Sequence, residues 1–272
     1  MTDKYAVMGN PIAHSKSPRI HTMFAGQTGQ DIEYSAILVE RDGFPDAVAG
    51  FVSDGGKGLN ITVPFKEAAW ELAASHSPRA ERAGAVNTLL LAADGRHFGD
   101  NTDGAGLVRD LKHNHRCEIA GRRLLLVGAG GAARGVLEPL LAEHPALLVI
   151  ANRTASRAVE LARHFCDLGR VEGCGLDDVD GHVFDLVINA TAASMQGEVP
   201  ALPGGIIGTD TWCYDMMYGN EPTAFMHWAG QRGAAVTADG LGMLVEQAAE
   251  SFHLWRKVRP DTAPVIRALR MS

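Results

Sequence analysis

Polar side chains that can bind a hydroxylated substrate are concentrated in the N-terminal part of the chain, in segments that we predict to be strand ends and loops. They comprise hydroxyls, amides and one lysine–aspartate pair, namely Ser15, Ser17, Asn60, Thr62, Lys66, Asn87 and Asp103. Hydroxyls and amides donate and accept hydrogen bonds, and an ammonium and a carboxylate extend that range to charged groups. The set suits a ligand that carries several hydroxyls and a carboxylate, and it suits an aromatic or lipid ligand poorly.

Each of these residues also has an ordinary structural role open to it. Ser17 can cap the predicted helix that follows it, and Asp103 can cap the helix that continues through Leu111. Thr62 is of a type that favours β-strands, and a lysine such as Lys66 is usually a surface residue. Taken singly, these residues leave both interpretations open.

A glycine-rich segment follows a strongly apolar run near the middle of the chain. The run covers 123–127, and the segment after it consists of Gly128, Ala129, Gly130, Gly131, Ala132 and Ala133. The segment fits the pattern G-x-G-x-x-G/A between a predicted strand and a predicted helix, where the backbone can approach a pyrophosphate at the positive end of the helix. A second strand at βαβ spacing favours a dinucleotide site over a tight turn without a ligand.

The residues after the next predicted strand indicate which dinucleotide is bound. An NAD-preferring site places Asp or Glu about 20 residues after the glycines, where it binds the ribose hydroxyls. Here the chain instead has Asn152, Arg153, Thr154 and Arg157. Because two guanidinium groups and a hydroxyl attract a 2′-phosphate that a carboxylate would repel, the sequence favours NADP over NAD.

Two patterns of predicted elements must position these groups. The first part of the chain alternates strands (5–8 and 59–63) with helices (from Ser17 and over 44–52) and ends in a hairpin over 86–98. The second part places strands at 123–127, 147–150, 185–189, 211–215 and 234–237, with helices ending near 143 and 165. Strands and helices joined by short loops predict a parallel, doubly wound sheet. Beyond Gly240 the chain is predicted to be helical and to pack onto the first part.

Bulk composition excludes several classes of protein. The 272 residues carry a net charge of -7 without a Lys/Arg-rich run, so we expect no nucleic-acid partner. Neither an apolar run of membrane-span length nor a secretory apolar region is present. The four cysteines are scattered and form no C-x-x-C pair. We therefore expect a cytoplasmic protein without a metal or a membrane partner.

Short blocks distributed in order along nearly the whole chain give a more specific indication. They are Gly9-Asn-Pro-Ile-Ala-His-Ser-Lys-Ser-Pro, Asn60-Ile-Thr-Val-Pro-Phe-Lys, Gly84-Ala-Val-Asn-Thr, Gly99-Asp-Asn-Thr-Asp-Gly, Gly128-Ala-Gly-Gly-Ala, Asn152-Arg-Thr, Cys213-Tyr-Asp-Met-Met-Tyr and Ala238-Asp-Gly-Leu-Gly-Met-Leu-Val-Glu-Gln-Ala. Together these blocks resemble the shikimate dehydrogenase family, and their agreement is far more specific than the glycine-rich segment alone.

The resemblance implies NADP-dependent, reversible reduction of 3-dehydroshikimate to shikimate, a step towards chorismate and the aromatic amino acids. It implies a Rossmann-like, doubly wound NADP domain over 104–240 and a smaller α/β substrate domain over 1–103 and 241–272, completed by C-terminal helices. Lys66 and Asp103 match the family's catalytic pair. The matches to its substrate-binding residues are Ser15, Ser17, Thr62, Asn87, Tyr218 and Gln247. The matches to its cofactor-binding positions are the loop Gly128, Ala129, Gly130, Gly131 and Ala132, the segment with Asn152, Arg153, Thr154 and Arg157, and Met216 and Gly240.

One loop departs from the family's pattern N-A-T-S-x-G-M, because Ala192 and Ser194 replace its serine and glycine. This loop faces the cofactor in the family, so we expect the replacements to bear on NADP affinity. Two alternatives remain open at this point, a quinate/shikimate dehydrogenase of broader specificity and a non-catalytic NADP-binding sensor on the same fold. A monomer and a homodimer are both compatible with the sequence.

Overall fold

The computed structural model describes residues 2–271, apart from the side chain of Met195. The chain divides into two compact units, one formed by Met1–Gly106 with Val245–Ser272 and the other by Leu107–Leu244. Both junctions lie a few residues beyond those of the predicted domains, 1–103 with 241–272 and 104–240. Met1 and Ser272, which the predicted domains include, lie outside the described residues.

Strands and helices alternate along both units. In chain order, the strands are β1 (Asp3–Gly9), β2 (Ile32–Leu38), β3 (Gly56–Ile61), β4 (Ser75–His76), β5 (Thr88–Leu90), β6 (Phe98–Asp100), β7 (Arg123–Val127), β8 (Leu147–Ala151), β9 (Val171–Cys174), β10 (Phe184–Asn189), β11 (Ile207–Asp215) and β12 (Val236–Asp239). The helices are α1 (Ser17–Thr28), α2 (Phe44–Ser53), α3 (Lys66–Leu72), α4 (Pro78–Ala83), α5 (Asp103–Arg109), α6 (Gly131–Ala142), α7 (Ala155–Phe165), α8 (Ala224–Gln231), α9 (Leu241–Arg256) and α10 (Ala263–Arg270).

The first unit is built on a mixed sheet with the strand order β2-β1-β3-β5-β6-β4. β1 pairs in parallel with β2 and β3, and the predicted hairpin is present as the antiparallel pair β5–β6. Gly95 in the hairpin turn has a φ of 78°, a backbone conformation that favours glycine. The sheet packs against α2 and α3 through a core that includes Phe44, Val48 and Phe65.

Two local predictions for this unit are wrong. Ser17 does not cap α1, because Lys16 already has a helical backbone and its carbonyl accepts the Ile20 N–H at 3.0 Å, which places Ser17 inside the first turn. Thr62 does not lie in a strand, because β3 ends at Ile61. Both residues therefore lie on the chain just where a regular element begins or ends.

The second unit contains the predicted parallel, doubly wound sheet, with the order β12-β11-β10-β7-β8-β9. Its central strands are almost entirely buried, as expected for a parallel sheet covered on both faces. β7 and β10 are neighbours at the point where the strand order reverses. In sheets of this kind a ligand binds at that point, in the crevice beyond the carboxyl ends of the strands.

The C-terminal helices belong largely to the first unit. Phe252 in α9 is fully buried, and the Trp255 Nε1 donates to the carbonyl of Leu89 at 3.0 Å. The Trp255 ring also stacks on Tyr5 with 4.7 Å between the ring centroids. These contacts attach α9 to both a central strand and the hairpin, so residues from the end of the chain can contribute to the polar cluster of the first unit.

Candidate active site

Lys66 and Asp103, the predicted catalytic pair, are in contact in the first unit. Lys66 is the first residue of α3 and Asp103 is the first residue of α5, and the lysine Nζ donates to Oδ2 of Asp103 at 2.5 Å. Their side chains are 24% and 13% exposed, respectively. Because both groups are partly shielded from water yet still accessible, the ion pair is stronger than a surface pair and open to a small ligand.

Asn87 holds the other oxygen of the same carboxylate. Its Nδ2 donates to Oδ1 of Asp103 at 2.8 Å, while its own Oδ1 accepts the Thr102 N–H at 2.9 Å. The N–H of Asp103 in turn donates to Oδ1 of Asn101 at 3.2 Å. Asp103 is therefore fixed from its backbone and from both carboxylate oxygens, and Lys66 is directed by a carboxylate that has little freedom to turn.

Gln247 joins this cluster from α9. Its Oε1 lies 3.3 Å from the Thr102 hydroxyl and 3.4 Å from the Asn87 Nδ2. Ser251, one helical turn further along, lies with its Oγ 2.7 Å from that of Thr88. The structure thus brings four of the predicted residues together in one unit: Lys66, Asp103, Asn87 and Gln247.

A buried layer lies behind these residues, and sequence reasoning singled out only its Asn60. Asn60 donates from Nδ2 to Ser251 at 2.9 Å and to Thr88 at 3.2 Å, and its Oδ1 accepts the Tyr34 hydroxyl at 2.7 Å. The ring of Tyr34 stacks on His21, which is fully buried, with 4.2 Å between the ring centroids. Burial lowers the pKa of His21 to about 3, so the imidazole is neutral. For Ser251, the available signal was its spacing of four residues from Gln247 on one helix face.

Ser15 and Ser17 lie next to each other at the start of α1. The backbone N–H of Ser17 donates to Oγ of Ser15 at 3.3 Å. The Ser17 side chain also forms a hydrogen bond with the side chain of Tyr34. Burial raises the pKa of Tyr34, and this hydrogen bond opposes the rise. Two neighbouring hydroxyls at the start of a helix can together bind both oxygens of a carboxylate.

Thr62 and Tyr218 complete the predicted substrate residues. Thr62 follows β3, and a Cβ added to Gly9 would collide with its methyl group, so this close approach requires glycine at position 9. Tyr218 belongs to the second unit and is 36% exposed. Its pKa is raised by burial and by the nearby charge of Asp239, so its hydroxyl remains protonated at neutral pH.

The glycine-rich segment of the second unit has the shape that a pyrophosphate needs. Gly128 has a φ of 110°, which disfavours any other residue, and a Cβ there would lie 3.2 Å from Cγ2 of Thr191. Gly130 and Gly131 face open space, since a Cβ at either would have no atom within 4 Å. Among the described residues no side chain caps the start of α6, so backbone N–H groups of its first turn remain for an anion. Ala129 and Ala132 flank the glycines, and both are small.

The segment after β8 offers two exposed guanidinium groups. The Asn152 Nδ2 donates to the carbonyl of Thr154 at 3.0 Å, and the Arg157 N–H donates to the same carbonyl at 3.1 Å. Arg153 and Arg157 are exposed, and within residues 2–271 neither side chain forms an ion pair. The turn is therefore rigid at its backbone while both cations remain available to a phosphate.

Met216 and Gly240 meet at the carboxyl ends of β11 and β12. A Cβ on Gly240 would collide with the carbonyl of Met216, so only glycine allows the two segments to approach this closely. Both residues lie beyond strand ends on the edge of the sheet that carries the glycine-rich segment. They are thus placed to border the same crevice.

Among residues 2–271, no group of three or more His, Cys, Asp and Glu side chains is arranged to hold a metal ion. Within the same residues, every helix is too short or too polar to cross a membrane.

Three family models match separate parts of the chain. The shikimate dehydrogenase substrate binding domain matches residues 7–89, the shikimate / quinate 5-dehydrogenase model matches residues 110–196, and the shikimate 5'-dehydrogenase C-terminal domain matches residues 240–270. The three matches together cover most of the chain, in both compact units.

Individual proteins resemble the chain along its whole length. A shikimate dehydrogenase (NADP(+)) from Cellvibrio japonicus is 61% identical over 270 residues, which are 99% of this chain and 98% of that protein. The crystal structure of an Ael1 enzyme from Pseudomonas putida has a TM-score of 0.93 at 46% identity, with 98% of each chain covered. Shikimate 5-dehydrogenase from Thermus thermophilus, solved in complex with NADP(H) and shikimate, has a TM-score of 0.88 at 32% identity, with 99% of each chain covered.

Proposed function

The chain belongs to the shikimate dehydrogenase family, and we propose on this basis that it catalyses the NADP-dependent, reversible reduction of 3-dehydroshikimate to shikimate. The observation that carries the proposal is the Lys66–Asp103 pair, fixed by Asn87 within a cluster of hydroxyl and amide groups. A substrate with several ring hydroxyls, a carboxylate and one ketone matches that set of groups. An enzyme of this kind acts on the path to chorismate and the aromatic amino acids.

The first unit supplies most of the groups proposed to bind the substrate. Ser15 and Ser17 bind the carboxylate with their adjacent hydroxyls. Tyr218, in the second unit, is a further residue proposed to bind the substrate. Thr62, Asn87 and Gln247 bind the ring hydroxyls, for which their side chains supply both donors and acceptors. Substrate hydroxyls then take over hydrogen bonds that these residues make with one another in the free enzyme, so the site loses few bonds when it is occupied.

Lys66 acts at the reacting carbonyl. Negative charge develops on the carbonyl oxygen during reduction, and an ammonium beside it stabilises the transition state more than the ground state. Asp103 directs the Lys66 Nζ and accepts a hydrogen bond from a neighbouring substrate hydroxyl. Because Asn87, itself held by the Thr102 N–H, fixes the orientation of Asp103, the ammonium needs little reorganisation when the charge appears.

The second unit holds NADP, which supplies the hydride when it is bound. The backbone of the loop Gly128, Ala129, Gly130, Gly131 and Ala132 receives the pyrophosphate at the start of α6, where three glycines keep side chains away. Arg153, Thr154 and Arg157 receive the 2′-phosphate, and Asn152 stiffens their turn. Met216 and Gly240 border the nicotinamide. The open space at Gly130 and Gly131 and the free cations fit this cofactor well.

Absorbance assays of the purified protein test the function. The reduction of NADP is followed in the near ultraviolet with shikimate and then with quinate, and each assay is repeated with NAD. We expect fast turnover only with shikimate and NADP. Comparable rates with quinate or NAD would make the protein a broad-specificity quinate/shikimate dehydrogenase. No turnover with any pair, while NADP still binds, would favour a non-catalytic sensor, although such a protein has no need of the Lys66–Asp103 pair.

We also propose a cytoplasmic setting and a small-molecule substrate as the ligand, without nucleic-acid or membrane partners. All four cysteines are free thiols, namely Cys117, Cys166, Cys174 and Cys213. Burial raises the pKa of Cys117 to about 11 and that of Cys213 to about 12, which makes these two thiols unreactive. A monomer and a homodimer remain as alternatives that light scattering on the purified protein distinguishes.

A further inference from the structure

The loop after β10 has an attachment that the proposed function does not use. This loop, residues 190–197, leaves the sheet beside the glycine-rich segment, because β10 and β7 are neighbours at the reversal of strand order. A Cβ added to Gly128 would lie 3.2 Å from Cγ2 of Thr191 and 3.4 Å from the carbonyl carbon of Ala190. The loop therefore forms one wall of the crevice in which the dinucleotide is proposed to bind.

Ser194 attaches the far half of this loop, residues 193–197, to the end of β11. Its Oγ donates to Oδ2 of Asp215 at 2.5 Å, and the Asn189 Nδ2 lies 3.4 Å from the same hydroxyl. Asp215 is fully buried, and the desolvation of its carboxylate raises its pKa, whereas the hydrogen bonds that it accepts from Ser194 and Thr223 oppose the rise. A hydroxyl that donates to a shielded carboxylate forms one of the stronger hydrogen bonds available to a neutral side chain.

Asp215 does not depend on Ser194 for its own position. The Thr223 hydroxyl donates to its Oδ2 at 2.6 Å, the Met217 N–H donates to its Oδ1 at 3.0 Å, and the Asn189 Nδ2 donates to the same oxygen at 3.1 Å. The carboxylate is thus a fixed point at the end of β11. Ser194 is the residue that connects the loop to this fixed point.

The near half of the loop, residues 190–192, is held by other hydrogen bonds. The Thr191 hydroxyl donates to Oδ1 of Asn189 at 2.7 Å, and the Thr191 N–H donates to the same oxygen at 3.1 Å. These bonds fix the first residues after β10. The turn Ala193–Gln196 is held to them by a long hydrogen bond, 3.4 Å from the Ala193 N–H to the Thr191 hydroxyl, and to β11 by the shorter bond of Ser194. Loss of the Ser194 hydroxyl would therefore release the far half of the wall without disturbing β10, β11 or Thr191.

We propose that Ser194 is a positioning residue for NADP, because its hydroxyl holds the 190–197 loop against Asp215 in the arrangement that borders the dinucleotide crevice. Ser194 acts through the loop, because its hydroxyl donates to Asp215. If the released loop samples other arrangements, the apparent affinity for NADP falls in proportion to the fraction of molecules whose loop keeps the binding arrangement. This inference rests on the proposed function, in that the second unit is taken to bind NADP.

Calorimetric titration of NADP into the wild-type protein and the Ser194→Ala variant tests the inference. We expect the Kd for NADP to rise about three- to tenfold in S194A, while the Kd for shikimate and kcat at saturating NADP stay within about twofold. The Ser194→Thr variant keeps the hydroxyl and serves as the matched control, so its Kd for NADP should remain near that of the wild type. Amide hydrogen exchange over 190–197 should be faster in S194A than in S194T.

Three outcomes would overturn the inference. An unchanged Kd for NADP in S194A would show that the attachment does not govern affinity. An equal loss of affinity in S194T would show that the hydroxyl is not the relevant group. A fall in the unfolding temperature of S194A by more than about 5 °C would make Ser194 a residue of general stability instead. Failure of the wild-type protein to bind NADP would contradict the proposed function, which separates that result from these three.

Discussion

The Nδ2 of Asn87 lies 2.8 Å from Oδ1 of Asp103, so a neutral amide holds one oxygen of the carboxylate whose other oxygen receives the Lys66 ammonium. An amide donor fixes the carboxylate without neutralising it. The negative charge of Asp103 thus remains available to direct the Lys66 ammonium. In the proposed mechanism each of the three residues has a different part, and separate substitutions can distinguish them.

Removal of the lysine ammonium should slow the chemical step. We expect Lys66→Ala to lower kcat by a factor of about 10²–10⁴ with little change in KM for shikimate, because the ammonium acts mainly on charge that develops in the transition state. Steady-state kinetics with shikimate and NADP measure both constants. Lys112, whose Nζ pairs with Glu143 at 2.5 Å in the second unit, supplies the control Lys112→Ala. A K66A enzyme that retains most of its kcat would refute the assignment.

Lys66→Arg separates charge from proton transfer. A guanidinium keeps the positive charge but does not release its proton at neutral pH. Recovery of kcat well above that of K66A would mean that Lys66 supplies charge, whereas a kcat as low as that of K66A would mean that it transfers the proton. A pH profile of kcat for the wild type and K66R completes the comparison.

Loss of a serine hydroxyl at the start of α1 should weaken substrate binding more than catalysis. We expect Ser17→Ala to raise KM for shikimate about tenfold or more, since a hydrogen bond to a charged carboxylate is lost, and to lower kcat much less. Thr22 lies on the same helix with an exposed hydroxyl that donates to the carbonyl of Pro18 at 2.8 Å, so Thr22→Ala is the matched control. An unchanged KM in S17A would remove Ser17 from the carboxylate site.

The two arginines after β8 should determine the preference for NADP. We expect Arg153→Ala combined with Arg157→Ala to raise KM for NADP about ten- to hundredfold and to leave KM for NAD nearly unchanged, because only NADP carries the 2′-phosphate. The effect should shrink as salt concentration rises, since the cations are exposed. Arg163, an exposed residue in the last turn of α7, provides the control Arg163→Ala. A parallel loss with both cofactors would contradict a role in selecting the phosphate.

Sequence alone predicts the elements of the second unit best. The limits of β7 and the end of α7 coincide with those predicted, because a continuous apolar run and a strong helical pattern leave few alternatives. β9 was missed, since Val171–Cys174 pairs with only β8 and has no buried residue to give it an apolar pattern. The wrong cap at Ser17 has a local cause, because the helical backbone of Lys16 moves the start of α1 by one residue.

Sequence predicts the site less completely. Lys66, Asn87 and Asp103 were identified through their types and their resemblance to family blocks, and the structure brings them together. The contact between Asn60 and Ser251 in the layer behind them could not be foreseen, because these residues lie 191 positions apart in the chain. No short-range pattern connects two residues at that separation, and only the return of α9 to the first unit brings them into hydrogen-bond distance.

The pH dependence of stability provides a test of the buried histidine in that layer. Burial lowers the pKa of His21 to about 3 in the folded protein, below its value of about 6.5 in an unfolded chain. The unfolded state therefore binds more protons between these two values, and the free energy of unfolding should fall as pH drops below about 6.5, by up to about 1.4 kcal/mol per pH unit from this group.

His21→Phe keeps an aromatic ring against Tyr34 and removes the titration, so the free energy of unfolding of this variant should fall less steeply as pH is lowered. Urea denaturation between about pH 7 and pH 4.5 gives both slopes, with His14→Gln as the control at an exposed histidine. Equal slopes for H21F and the wild type would mean that His21 titrates as freely in the folded protein as in the unfolded chain.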